Sequence, residues 1–412
     1  RTGQGGFMTT AHQGSFRFVI ACGGTGGHLF PGLAVARELV ARGCEVRLLV
    51  SPKEVDRAAA RTAASIPVSV LPAVGLERGR RWAFVRGFIK SYLAARSLYR
   101  AAPPDAALAM GGFTSAPPLL AARRRGARIF LHESNTIPGR ANRWLARWVD
   151  EAFAGFPETA ERLRCRRVTV TGTPVRAEFV AQAAGACRAA LGLNPERPTL
   201  LIMGGSQGAS AINQLVTKLL PGVDGAAQNW QWIHLTGAGD FSWVKRAYAE
   251  AGVDAVVVPF LERMEQALGA ATATVSRAGA SSLAELAAMR VPAVLIPYPA
   301  AADNHQFYNA RAFAATGAAR LLLQADLTPE GLLCALRELV EQASVREPMQ
   351  QALARWHFPH AARQIAEQML ARLAGAPDSR AAETAGPGAP ARPVAEPPWA
   401  APKPELQARR AA

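Results

Sequence analysis

The chain has 412 residues, half of them apolar, and a formal charge of +16 at pH 7. That length exceeds one common core and predicts two domains, and the basic excess points to an anionic partner: nucleic acid, a negatively charged lipid surface or a phosphorylated substrate. Five scattered cysteines (Cys22, Cys44, Cys165, Cys187, Cys334) without C-x-x-C spacing argue against a disulfide framework and a zinc site, and fit a reducing compartment.

Residues 1–15 lack the apolar core of a signal peptide and are expected to be a flexible N-terminal extension, with 1–7 ahead of Met8 carrying no structural role. No apolar run approaches the length of a spanning helix. Strands are predicted at 17–22, 45–50, 66–71, 105–109, 128–132, 151–154 and 168–171, then at 199–203, 231–235, 255–258, 273–276, 292–296 and 319–322. Helix-like stretches separate most of them. That alternation predicts βαβ units with a parallel sheet in each half. Val35, Leu39 and Val40 are placed on one helix face, and Gly43 stands where the helix end wants a positive φ. The expected division is a first Rossmann-like domain over 16–174, a linker over 175–197 and a second Rossmann-like domain over 198–358. A final helix follows over 359–375. The Ala/Pro-rich tail, 376–412, has too little apolar bulk to offset its ordering entropy and is read as disordered.

Two glycine-rich turns carry most of the chemical information. Cys22-Gly23-Gly24-Thr25-Gly26-Gly27-His28 and Met203-Gly204-Gly205-Ser206-Gln207-Gly208-Ala209 each follow a strand and open a helix. Free N–H groups and the positive end of the helix dipole converge there, and glycine lets an oxyanion approach the main chain. Neither turn is a dinucleotide fingerprint or a Walker A loop. A tight packing turn is the bland alternative. A third pair, Gly111-Gly112, follows another strand. His28 ends the first turn at the carboxyl edge of its strand, where open α/β sheets hold ligands. A neutral imidazole there can take a proton from a sugar hydroxyl.

Other strand ends add polar groups. In His132-Glu133-Ser134-Asn135, Ser134 or Asn135 is a candidate helix cap, and Asn135 can equally bind a ligand hydroxyl. Glu285 follows the small-residue turn 276–284, and a carboxylate there can accept both hydroxyls of a ribose; a capped helix with an early acid is the alternative. The amides and His of 303–309 suit sugar hydroxyls. Residues 76–100 interleave seven basic side chains (Arg78, Arg80, Arg81, Arg86, Lys90, Arg96, Arg100) with Trp82, Phe84, Phe88, Ile89 and Leu93, against the single acid Glu77. That mixture matches interfacial membrane attachment. A solvated helix with its apolar face in the core is the alternative, and no nucleic-acid-binding signature accompanies the charge.

Six ordered motifs, GGTGGH-x-x-PGLAVA (23–36), HESN-x-x-PG-x-AN (132–142), GTPVR (172–176), GGSQGA-x-x-N (204–213), SRAGASSLAEL (276–286) and D-x-HQ-x-x-NA (303–310), resemble the MurG-type peptidoglycan glycosyltransferases over roughly 16–372. The resemblance implies two Rossmann-like domains with parallel sheets facing a deep cleft, the GT-B architecture, with a last helix crossing back to the first domain. It implies an inverting hexosyltransferase that moves N-acetylglucosamine from UDP-N-acetylglucosamine to the C4 hydroxyl of undecaprenyl-pyrophosphoryl-MurNAc-pentapeptide (lipid I to lipid II). No cofactor or metal and no nucleic acid is expected. The implied location is the cytoplasmic face of the bacterial plasma membrane, peripherally bound to an anionic surface, with other cell-wall synthesis proteins as further partners.

By resemblance, Glu285 takes the ribose hydroxyls, the Leu261 backbone meets the uracil, and Ser206 with Arg176 holds the diphosphate. Ala280, Ser281, Ser282, Leu283 and Ala284 line the donor site. Gln306 and Asn309 contact the sugar, with Asn135 reaching across the cleft. Thr25, Gly26 and Gly27 match donor- or diphosphate-contacting positions, and His28 is the candidate base. Ser134 departs from the glutamine common at its position. Trp82, Phe84, Phe88, Ile89, Arg80, Arg81, Arg86 and Lys90 form the expected membrane contact. A diacylglycerol-type UDP-sugar transferase and a non-catalytic nucleotide-binding membrane protein are the alternatives.

Overall fold

A computed structural model describes residues 15–23, 26–52, 66–72, 81–205 and 207–375. The expected N-terminal extension (residue 15 excepted), the tail, Thr25, Arg80 and Ser206 lie outside these residues. The first sheet holds β1 (Arg17–Ala21), β2 (Glu45–Val50), β3 (Val68–Val70), β4 (Ala106–Ala109), β5 (Arg128–Glu133), β6 (Glu151–Ala154) and β7 (Val168–Val170), in spatial order 3-2-1-4-5-6-7. The second holds β8 (Thr199–Met203), β9 (Gln231–Leu235), β10 (Ala255–Val258), β11 (Ala273–Ser276), β12 (Ala293–Leu295) and β13 (Arg320–Leu321), ordered 10-9-8-11-12-13. All pairings given for both sheets are parallel: β1 lies between β2 and β4, and β8 between β9 and β11. In each sheet the strand order reverses beside the first strand, which opens a crevice at the carboxyl edge.

Strand periodicity explains the layering. Phe18, Ile20, Leu48, Leu108 and Phe130 point into one core of the first domain, while Val19, Ala21, Leu49, Ala109 and Leu131 point into the core on the opposite face. Side chains alternate across a pleated strand, so a sheet covered on both faces needs continuous apolar runs. Burying each such large side chain contributes about 1.5–3 kcal/mol.

The helix Gly26–Ala41 packs Leu29, Leu33, Val35 and Leu39 into the first of these cores. Val40 does not share that face and is 42% exposed, while Gly43 takes φ 79° as the helix end requires. The closing helix Ala361–Leu373 inserts Ile365, Ala366 and Met369 into the same core. Arg372 Nε meets Glu151 Oε2 at 2.9 Å, and Arg42 Nη2 meets Glu367 Oε1 at 3.1 Å. The last helix therefore returns to the first domain.

The expected linker is more structured than its glycines and prolines indicate. It contains the helix Ala184–Ala190, and Phe179, Cys187 and Leu193 are buried in the second domain's core. Arg188 ties it down, donating from Nε to Ala270 O (3.0 Å) and from Nη2 to Thr272 Oγ1 (3.2 Å). Short apolar side chains at helical spacing supply this packing, and turn residues alone hide it.

Candidate active site

The two glycine turns open at the carboxyl edges of β1 and β8, on facing walls of one cavity of about 460 Å³. The first domain contributes Gly26, Gly27, His28, Phe30, Ser134 and Asn135. The second contributes Gly205, Leu261, Ala280, Ser281, Ser282, Glu285 and Gln306, and Arg176 stands between. Thus most of the sequence-predicted ligand residues converge from segments far apart in the chain.

The second turn is built on close backbone contact. Gly208 has φ 77°, and a Cβ there would lie 2.1 Å from Thr236 O; one at Gly237 would lie 2.3 Å from Gln207 O. Only glycine permits both the left-handed backbone and the approach. A buried relay braces this stack from behind. Asn213 Nδ2 donates to Thr236 O (2.9 Å) and Asp240 Oδ2 (2.8 Å), and His234 Nε2 donates to Asn213 Oδ1 (2.9 Å). Tyr248 then donates to His234 Nδ1 at 3.1 Å. Burial lowers the His234 pKa to about 3, so the ring is neutral and the relay has one consistent direction.

His28 lies in the first turn of the helix Gly26–Ala41 and rests on the third glycine pair. A Cβ at Gly111 (φ 119°) would stand 2.8 Å from His28 Nε2, and Thr114 Oγ1 donates to Gly23 O at 2.7 Å. The role of Gly111-Gly112 is therefore to let the imidazole lie against bare backbone. The second histidine of the region is different. His132 is fully buried, donates from Nε2 to Gly172 O (3.0 Å) and accepts at Nδ1 from Ser134 Oγ (3.2 Å). Burial lowers its pKa to about 4, opposed by the Gly172 bond and aided by nearby His28.

Ser134 and Asn135 do not cap the following helix, Arg140–Leu145, whose N-cap is Gly139. Glu133 organises that turn instead. Its carboxylate accepts from Asn135 N (2.9 Å), Asn135 Nδ2 (3.1 Å), Gly139 N (2.9 Å) and Asn142 Nδ2 (2.9 Å). In the sequence this role shows only as an acid next to polar neighbours.

On the opposite wall, burial raises the Glu285 carboxyl to about 7, with Arg176 opposing the shift and Glu265 adding to it. Arg176 lies over the rings of Phe30 (4.7 Å) and Phe179 (4.9 Å), so cation–π contacts on two rings hold its guanidinium at the cavity edge. Gln306 accepts at Oε1 from Tyr298 N (3.0 Å) and Ala278 N (3.3 Å).

Three predicted donor contacts fall elsewhere. Leu283 is 1% exposed and belongs to the second core, because it lies on the inner face of the helix Ala280–Met289. Ala284 is not among the cavity-lining residues. Asn309 is fully buried and its amide is committed: Oδ1 accepts from Thr136 N and Thr136 Oγ1, both at 2.9 Å, while Nδ2 donates to Asn135 Oδ1 at 3.0 Å and Ala278 O at 3.1 Å.

A second, largely apolar groove of about 620 Å³ lies on the first domain, lined by Phe88, Ile89, Tyr92, Leu120, Arg123, Arg124, Trp144 and Trp148. The helix Arg81–Ala101 forms one side, with Trp82 86%, Ile89 52% and Leu93 52% exposed. Phe84 is only half-exposed, its ring 5.6 Å from Phe113. Arg86 and Lys90 are exposed on the same helix. Trp144, on the helix Arg140–Leu145, and Trp148 just beyond it join them, and neither is among the residues expected at the membrane contact. Among the described residues, no helix is long and apolar enough to cross a membrane.

Comparison with known proteins agrees with the two-domain fold. The family model described as glycosyltransferase family 28 N-terminal domain matches residues 18–154, and the family 28 C-terminal domain matches 199–369. The chain is 35% identical over 390 residues to the UDP-N-acetylglucosamine–N-acetylmuramyl-(pentapeptide) pyrophosphoryl-undecaprenol N-acetylglucosamine transferase of Anaeromyxobacter dehalogenans, covering 92% of this chain and 98% of that one. It is 39% identical over 338 residues to the enzyme of that name from Verminephrobacter eiseniae, covering 80% and 91%. The crystal structure of Acinetobacter baumannii MurG superposes with a TM-score of 0.68 at 27% identity, covering 87% of this chain and 99% of that one.

Proposed function

The chain belongs to the MurG family within glycosyltransferase family 28, and on that premise we propose how its cleft performs the transfer. The enzyme moves N-acetylglucosamine from UDP-N-acetylglucosamine to undecaprenyl-linked MurNAc-pentapeptide, converting lipid I to lipid II in peptidoglycan synthesis. The observation that carries the reading is one cavity with His28 on one wall, Glu285 and the second glycine turn on the other, and Arg176 between them.

The donor lies on the second domain. Glu285 accepts the ribose hydroxyls, and the Leu261 backbone meets the uracil. The second glycine turn and Arg176 take the diphosphate, joined there by Ser206. Gln306 faces the sugar from this wall and Asn135 from the other, with Ser281 and Ser282 beside it. His28 accepts the proton of the C4 hydroxyl as that oxygen attacks the anomeric carbon, and Thr25, Gly26 and Gly27 contact the donor or its diphosphate. One displacement inverts the anomeric centre. Charge then develops on the UDP leaving group, where backbone N–H donors and the fixed Arg176 guanidinium stabilise it without reorganising.

The groove beside the helix Arg81–Ala101 is the membrane contact. Exposed Trp82 and Ile89 enter the interface, together with Trp144 and Trp148, while Arg86, Lys90, Arg123 and Arg124 meet anionic headgroups. Each basic residue near such a surface contributes about 1 kcal/mol. The attachment keeps the enzyme peripheral, on the cytoplasmic face where a nucleotide sugar is available.

Transfer of radiolabel from UDP-N-acetylglucosamine, with the muramyl lipid and diacylglycerol offered separately, tests the reading. Label is expected only in the muramyl lipid; label only in diacylglycerol would overturn the assignment of the acceptor.

A further inference from the structure

The segment 303–309 does more than approach the donor sugar. Two consecutive non-glycine residues there are left-handed, Asp303 (φ 50°) and Asn304 (φ 54°). L-residues adopt that backbone only at a cost, and Asp and Asn tolerate it best. The turn directs the Asp303 carboxylate out of the second domain onto two arginines of the first. Asp303 Oδ2 pairs with Arg143, and Asp303 Oδ1 lies 3.8 Å from Arg140 Nη2. About one turn into the helix His305–Ala315, the buried Asn309 amide holds Thr136 and Asn135 of the first domain. Both arginines and Thr136 belong to the loop and short helix that Glu133 organises.

We propose that Asp303 with Arg140 and Arg143, and Asn309 with Thr136, form a polar latch across the cleft that closes the two domains onto the donor. This inference rests on the proposed donor site, since the latch brackets Gln306 on one wall and Asn135 on the other. Its members are positioning residues. The outer pair is partly exposed, with side-chain accessibilities of 44% for Arg143 and 33% for Asp303, so it is sensitive to salt. The inner asparagine contact is dry and is not. Closure is thereby divided into a charge-steered outer contact and a buried amide contact that reports correct seating.

A double-mutant cycle of Arg143→Gln and Asp303→Asn tests the latch. Asp303→Asn removes the charge and keeps a side chain suited to positive φ. Each single variant is expected to raise the KM for UDP-N-acetylglucosamine about three- to fivefold, the range a partly exposed ion pair supports, with kcat within twofold and the melting temperature unchanged. The double variant should be no worse than either single, and its KM should lose the extra salt dependence seen in the parent. Hydrogen exchange of the ligand-free chain gives a readout independent of activity: segments 135–143 and 303–309 should exchange faster in each variant. Parental exchange and parental KM in both single variants would overturn the latch, as would additive losses in the double. Parental protein that binds no UDP-N-acetylglucosamine while its variants still show faster exchange would overturn the donor-site reading and leave the latch standing.

Discussion

His28 and Gly111 are in direct contact: a methyl group on Gly111 would stand 2.8 Å from the imidazole Nε2. The third glycine turn is thus the seat of the candidate base and not a third phosphate cradle of the same kind. Gly111→Ala would meet both the steric conflict and a backbone at φ 119°. Displacement of a reacting group by about 1 Å costs on the order of 100-fold in rate. We expect kcat to fall tenfold or more while UDP affinity, measured by calorimetry, stays within twofold.

Gly208→Ala should show the opposite division. Its Cβ would lie 2.1 Å from Thr236 O, a backbone atom held in place by Asn213. The turn must open to relieve the contact, so a diphosphate bound as proposed would lose its donors. UDP binding is expected to weaken at least tenfold. Stability should also drop by more than about 1 kcal/mol, since alanine is placed where φ is 77°. Urea denaturation and a UDP titration read the two effects separately.

Glu285 predicts a pH dependence. Its carboxyl is raised to about 7 in the free protein by burial, so the native state binds the proton more tightly than the unfolded chain. The sign follows: this group favours the native state most below its ordinary carboxylate range, and the benefit is lost as pH rises through about 7. Ribose hydroxyls need the ionised form as acceptor. UDP affinity should therefore strengthen from pH 5.5 to 8, with proton release on binding near pH 6.5. Glu285→Gln should flatten that profile and weaken binding at pH 8; an unchanged profile would remove Glu285 from the ribose site.

Neutralisation of Arg86, Arg123 and Arg124 to glutamine tests the membrane groove. Removing three basic groups at about 1 kcal/mol each should weaken binding to anionic vesicles by on the order of 100-fold. Trp148→Ala should weaken it further at high salt, where only apolar insertion remains. Co-sedimentation with vesicles at two ionic strengths measures both; parental binding by the triple variant would place the membrane contact elsewhere.

Much of this architecture was legible in the residues. Runs such as Phe18-Val19-Ile20-Ala21 and Leu200-Leu201-Ile202 are apolar on both faces, which only a doubly covered parallel strand needs, and each strand position predicted from such runs is occupied. The glycine turns, Glu285 and Arg176 were legible because their chemistry is local to a strand end. Tertiary pairings were not. Nothing near Gly111 marks it as a seat for a histidine some eighty residues earlier, and nothing near Asn309 shows that Thr136 will claim its amide. Nothing in the local sequence marks Trp144 and Trp148 as surface anchors, and only packing brings them beside Phe88 and Ile89. The segment 175–197 misled for the converse reason: its turn residues are conspicuous, whereas the burial of Cys187 depends on a partner helix, Met264–Ala270.

A single-turnover rate for His28→Ala at saturating UDP-N-acetylglucosamine measures the division of labour across the cleft. With donor saturating, a loss in rate reports the acceptor wall alone. The rate should fall at least tenfold, while the concentration of donor needed for saturation remains within twofold of the parent's. An unchanged rate would contradict His28 as the base and return the first glycine turn to a role in packing.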